Sequence, residues 1–335
     1  MPWRLAHCRC LFVAACAGML PFAGGLAGQA QRSILPFPGG EVTRIGGPGN
    51  DVLLDPGLAA CGSGGFLVFD YGDMRLKAFS STGVLRWQVG RSGAGPGEYR
   101  NPTELRVRDD GRIVLRDPPN ARILELSPLG SPLRTIPVVS QNHRMLALSG
   151  QRFMLLGGSH TDFAIIVDSA GGLLATTPLG AEQMDVPVVS RQAVAGQASD
   201  GGAAIAFVYS GSFATVTPTG EMQWHEGVEA IPFPKVLTLK VGDKKQYTAA
   251  RVDPKAPRGA RSVAVGPRAV YLLFGGESAD AGRLIDEYDR QTGRYTRSWR
   301  VPEGVVSILV CGSQLLMQFN DPLPHFRVFP LPALR

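Results

Sequence analysis

The sequence predicts an all-β fold of repeated four-stranded units, and three observations carry that prediction. The first is a repeat. Residues 58–70 and 105–117 both read as strand, Gly-containing turn and strand, and Asp70, Arg75, Phe79 and Gly83 return 47 positions later as Asp117, Arg122, Leu126 and Gly130. The second is punctuation. With 42 Gly and 26 Pro in 335 residues, the chain is interrupted too often for long helices. The third is a mismatch between the ends. The last unit stops after Phe326, Arg327, Val328 and Phe329 without an outer strand, whereas residues 40–46 resemble the outer strand of the first unit at 83–90. A period of this length with several short strands per unit belongs to a β-propeller blade.

Taken from the N-terminus, residues 1–30 read as an export signal. Arg4, His7 and Arg9 precede a mostly apolar run over 11–26, and small residues follow, with Ala27 or Ala30 as the cleavage position. Pro21 and its neighbouring glycines argue against a membrane span, and no later segment is long and apolar enough for one. Cys16, after Val13, Ala14 and Ala15, also fits the position at which bacterial lipoproteins are lipidated. The expected location is therefore periplasmic or extracellular, with lipid anchoring through Cys16 as a second route.

Residues 31–335 then read as one propeller domain. The third strand and its Gly turn recur at 78–83, 125–130, 166–171, 215–220 and 287–293, and further inner hairpins at 146–156, 193–208, 263–274 and 308–319. That makes six blades, closed by an N-terminal strand in the last blade, an arrangement that leaves no exposed sheet edge at the seam. Of the five cysteines, Cys61 and Cys311 lie beyond the signal, at the same repeat position on blades that closure makes neighbours. Two outcomes are open there: a disulfide across the seam, closing a loop of about 250 residues, or two small buried thiols.

Residues 90–102, from Gly90 to Pro102 with Gly93, Gly95 and Gly97 between, resemble the inter-blade linker of NHL-type propellers. Asp110, Gly111, Arg112, Asp117, Asn120 and Arg122 follow in the places that pattern expects. The unit is similar to the secreted bacterial six-bladed propellers of the TolB-like group, most clearly over 40–138. The resemblance implies a fold and not an activity, because that group includes lyases, lactonases and protein-binding scaffolds. The Gly-rich linker opens no helix and contains Pro96, so it is read as a turn rather than a phosphate loop.

Candidate chemistry sits where inner strands begin. Aligning the hairpins places Pro56, Thr103, Arg144, Arg191, Arg261 and Val306 at one rim position, with Asp55, Glu104 and His143 beside them. Converging guanidinium groups favour a carboxylate, sulfate or phosphate; the competing reading pairs them with Asp55 and Glu104. His143, His160, His225 and His325 show no metal-ligand spacing, and no Ser or Cys lies in a nucleophile motif, so neither a metal nor another cofactor is expected. Asp70, Asp117 and Asp321, after second strands, read as turn acceptors.

The net charge of +6 is local. Between Lys235 and Arg261 stand eight cations against Asp243 and Asp253, within an insertion at 228–261 that is longer than an ordinary inter-blade connection. Val236 to Val241 suits a strand turning into Tyr247. The expected partner is an anionic small molecule, a glycan or an acidic protein; nucleic acid is not expected for an exported chain. The residues favour an exported ligand- or protein-binding propeller, and the alternative is a lactonase-like, metal-dependent hydrolase or lyase at the channel mouth.

Overall fold

The computed structural model describes residues 31–331 except 50–51, 63, 139–143, 158–161, 179–188, 190–191, 242–246 and 277. Residues 1–30, read above as an export signal and containing Cys16, therefore lie outside the described residues, as do His143, His160 and Arg191.

Six antiparallel sheets follow one another along the chain, and in each the first strand is innermost. Those inner strands are Pro56–Gly62, Glu104–Val107, Arg144–Leu148, Ala193–Gln197, Ala260–Val265 and Val305–Cys311. Each packs beside the next, and the sixth returns to the first, so the ring is closed. The packing explains why the second strands read as unbroken apolar runs. Within Gly65–Asp70, Leu67 and Phe69 face the second blade, whereas Phe66 and Val68 face the sixth. Both faces of every blade are covered by a neighbour, so the period-2 alternation divides one apolar run between two interfaces. Six hydrophobic clusters result, one at each blade interface.

The seam is closed as the chain ends suggest. Thr43–Gly46 pairs antiparallel with His325–Pro330, Thr43 opposite Val328 and Gly46 opposite His325, and Ile45 is fully buried between the sixth and first blades. Gly46 has φ +79°, and a Cβ there would fall 2.9 Å from the Pro324 carbonyl. Cys61 and Cys311 form a disulfide across the same seam, with Cα atoms 5.4 Å apart. His325 begins a strand and stacks on Phe319.

A further strand has no counterpart in the repeat. Ile34–Pro36 runs parallel to Ser298, Trp299 and Arg300 on the outer edge of the fifth blade. Phe37 then wedges edge-on between Trp299 and Phe329. Arg32 anchors the segment, lying 3.9 Å above the Phe274 ring and pairing with Asp286 and Glu229.

The signature aspartates hold linkers as well as their own turns. Asp70, fully buried, accepts from the main-chain N–H groups of Leu54 (2.8 Å), Asp55 (2.7 Å) and Gly72 (3.0 Å) and from Lys77 Nζ at 2.7 Å. Burial pushes its pKa up, but Lys77 and those N–H groups outweigh burial and hold it below the usual carboxylate value. Asp117 likewise receives the N–H groups of Arg100 and Asn101, Asn120 Nδ2 and Arg122. The Gly-rich linker is structural: Gly90, Gly93 and Gly97 have positive φ, and Tyr99 enters the core. The basic insertion forms a hairpin, Val236–Val241 against Tyr247–Val252.

Candidate ligand-binding channel

Inner strands expose their unpaired edges to the axis, and unpaired backbone groups need partners. Side chains from neighbouring blades supply several. Gln197 of the fourth blade accepts from Ala147 N–H on the third and donates to the Ala147 carbonyl. Ser262 of the fifth bonds both backbone groups of Ile308 on the sixth. Gln318 of the sixth donates to the Pro56 carbonyl on the first at 2.7 Å, while accepting from Ser307. These stitches hold the channel wall in one shape.

The cavity they enclose has a volume of about 630 Å³ and reaches from Glu104, Arg144 and Arg261 at one end to Arg108, Asp110 and Ser199 at the other. Leu58, Val194, Val263 and Ile308 supply apolar wall. Three of its charged side chains, Glu104, Arg106 and Arg144, form one cluster. Glu104 opens the second inner strand and Arg106 follows two positions on, so both project to the same side. Glu104 Oε2 receives Arg106 Nη2 at 2.5 Å, and Oε1 receives Arg144 Nη1 at 3.1 Å. Arg106 also donates to the Leu105 and Ala195 carbonyls, both at 2.9 Å, the second on the fourth blade. Arg144 Nε reaches the Ala193 carbonyl at 3.1 Å.

Two guanidinium groups thus share one carboxylate. Arg106 is 9% exposed and Glu104 2%, and Arg106 Nε is buried without a hydrogen-bond partner. Burial lowers the Arg106 pKa; Glu104 opposes that and Arg144 adds to it. A guanidinium keeps its proton throughout the physiological range, so the cluster carries a surplus positive charge in a poorly solvated place.

The structure places the sequence-predicted residues unequally. Arg144 and Glu104 come together as an ion pair. Asp55 is exposed and is not among the residues lining the cavity; its main chain caps Asp70. Arg261 lines the cavity but is not the register equivalent of Arg144. Arg144 pairs in the ladder with Leu156, whereas the register shifts between Ala260 and Ser262, leaving Arg261 as the extra, bulged residue. Matching shifts occur at Gly57 and Val306, so the rim position on the first blade is Gly57 and not Pro56. One inserted residue in three strands is invisible to an ungapped alignment. Arg106 was missed altogether, although a charge between Leu105 and Val107 on an inner strand is an unusual choice.

Among the described residues, no group of three or more His, Cys, Asp or Glu converges as metal ligands would. His225 lies in an outer strand, bonded to Thr215 Oγ1 at 2.9 Å. No described helix is long and apolar enough to cross a membrane.

No family model and no curated protein matches the chain. Solved structures do. An exported-type protein of Bacteroides fragilis NCTC 9343 shares 12% identity over 87% of this chain and 94% of its own, with a TM-score of 0.57. A DUF4221 family member from Bacteroides vulgatus shares 7% identity, covering 88% of this chain and 98% of its own, with a TM-score of 0.54. A streptogramin B lyase shares 14% identity over 88% of both chains, with a TM-score of 0.50. At these identities the likeness is one of fold. The chain is a six-bladed β-propeller.

Proposed function

We propose that this protein is an exported binding module whose channel holds one carboxylate head and the apolar body of a small ligand. The carrying observation is the Glu104–Arg106–Arg144 cluster: two guanidinium groups, one of them buried, around one buried carboxylate leave the cluster one anion short. A ligand carboxylate supplies that charge, and Leu58, Val194, Val263 and Ile308 receive its apolar part. Export rests on the character of residues 1–30. The relation to NHL-type, TolB-like propellers rests on the linker and the Asp117, Asn120 and Arg122 pattern.

Calorimetric titration with straight-chain monocarboxylates from acetate to octanoate tests this reading. Binding should tighten with chain length and weaken roughly ten- to a hundredfold in Arg106→Gln, the value of one charged hydrogen bond. Equal affinity in the wild type and in both Arg106→Gln and Arg144→Gln would overturn it.

A further inference from the structure

Arg261 belongs to two cavities. Beside the channel mouth lies a second, open concavity of about 810 Å³, lined by Lys255, Arg258 and Arg261 together with Gly275, Gly276 and Val306. Arg261 also lines the channel, so the two spaces adjoin at that side chain.

The second cavity is built. The bulge at Arg261 takes that residue out of the ladder and directs it to the rim, a recognised use of bulges. Glycines make room for it: a Cβ on Gly275 would meet Arg261 Cγ at 3.2 Å, and one on Gly282 would meet Nη1 at 2.7 Å. The loop presenting the other two cations is fixed by Pro254, Pro257 and local hydrogen bonds. Lys255 N–H donates to Asp253 Oδ1 at 2.9 Å, Gly259 N–H to the Val208 carbonyl at 2.7 Å, and Gly275 N–H to the Gly259 carbonyl at 3.1 Å.

Among the described residues the charge is one-sided. The described lining contains no acid, and none of the three cations forms an ion pair among the described residues. Arg144, across the mouth, by contrast has a carboxylate partner, Glu104, which it shares with Arg106. Three cations held around one concavity repel one another, and a bound anion relieves that repulsion.

We propose that Lys255, Arg258 and Arg261 form a second anion subsite, and that the ligand is elongated with an anionic group at each end. One end sits at Arg106 and Arg144 in the channel and the other outside it. This rests on the channel reading given above and adds a second anionic group to the ligand, outside the channel. Linking two anionic groups converts the second contact into an intramolecular one, so affinity should peak at the chain length that spans the sites.

The test is titration of α,ω-dicarboxylates of increasing length beside monocarboxylates of equal length, at constant ionic strength, on wild type, Lys255→Gln/Arg258→Gln and Arg106→Gln. In the wild type, one dicarboxylate length should bind at least tenfold more tightly than its monocarboxylate. The double variant, altered only at exposed side chains, should lose that gain and keep monocarboxylate affinity unchanged; Arg106→Gln should weaken both ligands. A dicarboxylate no better than the monocarboxylate at any length, or a gain that survives in the double variant, overturns the second subsite and leaves the channel reading standing. Inorganic phosphate binding that depends on Lys255 and Arg258, with no monocarboxylate binding, would instead overturn the channel reading and the two-headed ligand with it.

Discussion

Arg106 reaches across the channel from the second blade to the main-chain carbonyl of Ala195 on the fourth, 2.9 Å away. A single side chain thereby joins two blades that are not neighbours and places a positive charge near the axis. Its carboxylate partner, Glu104, is shared with Arg144 of the third blade. Stability and proposed binding therefore meet in the same three residues, and they can be separated by the sign of the effect.

Glu104→Gln removes the carboxylate and leaves the buried Arg106 guanidinium without its counter-charge, with the more exposed Arg144 beside it. Breaking a buried pair on that side should cost about 3–5 kcal/mol. Arg106→Met leaves Glu104 and Arg144 as a balanced pair and should be neutral or stabilising. Urea denaturation of both variants reads the difference; a shared sign would show that the surplus charge is not the governing feature.

The Cys61–Cys311 disulfide ties residues 250 positions apart, and chain entropy assigns such a loop about 5–6 kcal/mol. Cys61→Ala/Cys311→Ala should unfold at a lower denaturant midpoint than the oxidised wild type. Wild type unfolded under strong reductant should move to the variant's midpoint. Coincident midpoints for variant and oxidised wild type would remove the bridge from the account of stability.

Asp70 offers a pH signature. Its folded-state pKa is depressed, so its contribution is present above the unfolded carboxylate value near about 3.9 and is lost as pH falls through the lower folded value. Asp70→Asn, which leaves Lys77 buried without its closest carboxylate, should cost about 3–5 kcal/mol near neutral pH. That deficit should shrink only below about pH 4. A wild-type-minus-variant difference that does not change down to pH 2 would contradict the assignment.

Strand closure predicts opposite outcomes for two residues three positions apart. Ile45 is fully buried at the seam, so Ile45→Ala should cost about 2–5 kcal/mol. Val42 is 62% exposed, and Val42→Ala should lie within about 0.5 kcal/mol of wild type. Thermal unfolding of the pair checks the register directly, because a one-residue slip would exchange inward and outward positions along the strand.

The architecture was legible because its signals are local and repeated. The repeated strand–turn–strand pattern at 58–70 and 105–117, the glycine that follows the third strand in five units and the orphaned strand at residues 40–46 each state a requirement that closure satisfies. The site was legible only in part. Arg144, Glu104 and Arg261 were found from their place before or at the start of inner strands, but a bulge separates Arg261 from Arg144 in register. Arg106 escaped notice because its partner carbonyl lies 89 residues away. The parallel strand Ile34–Pro36 escaped too, since its three residues are exposed and carry no buried pattern.

The amino-acid sequence by itself determined the strands, the number of blades and the need to close the ring, because apolar spacing and turn residues act over a few positions. Only the tertiary structure decided which charges face each other across the axis and which are left over. Closing the ring brings distant strand edges within hydrogen-bonding distance, and the balance of charge there depends on that meeting and not on spacing along the chain.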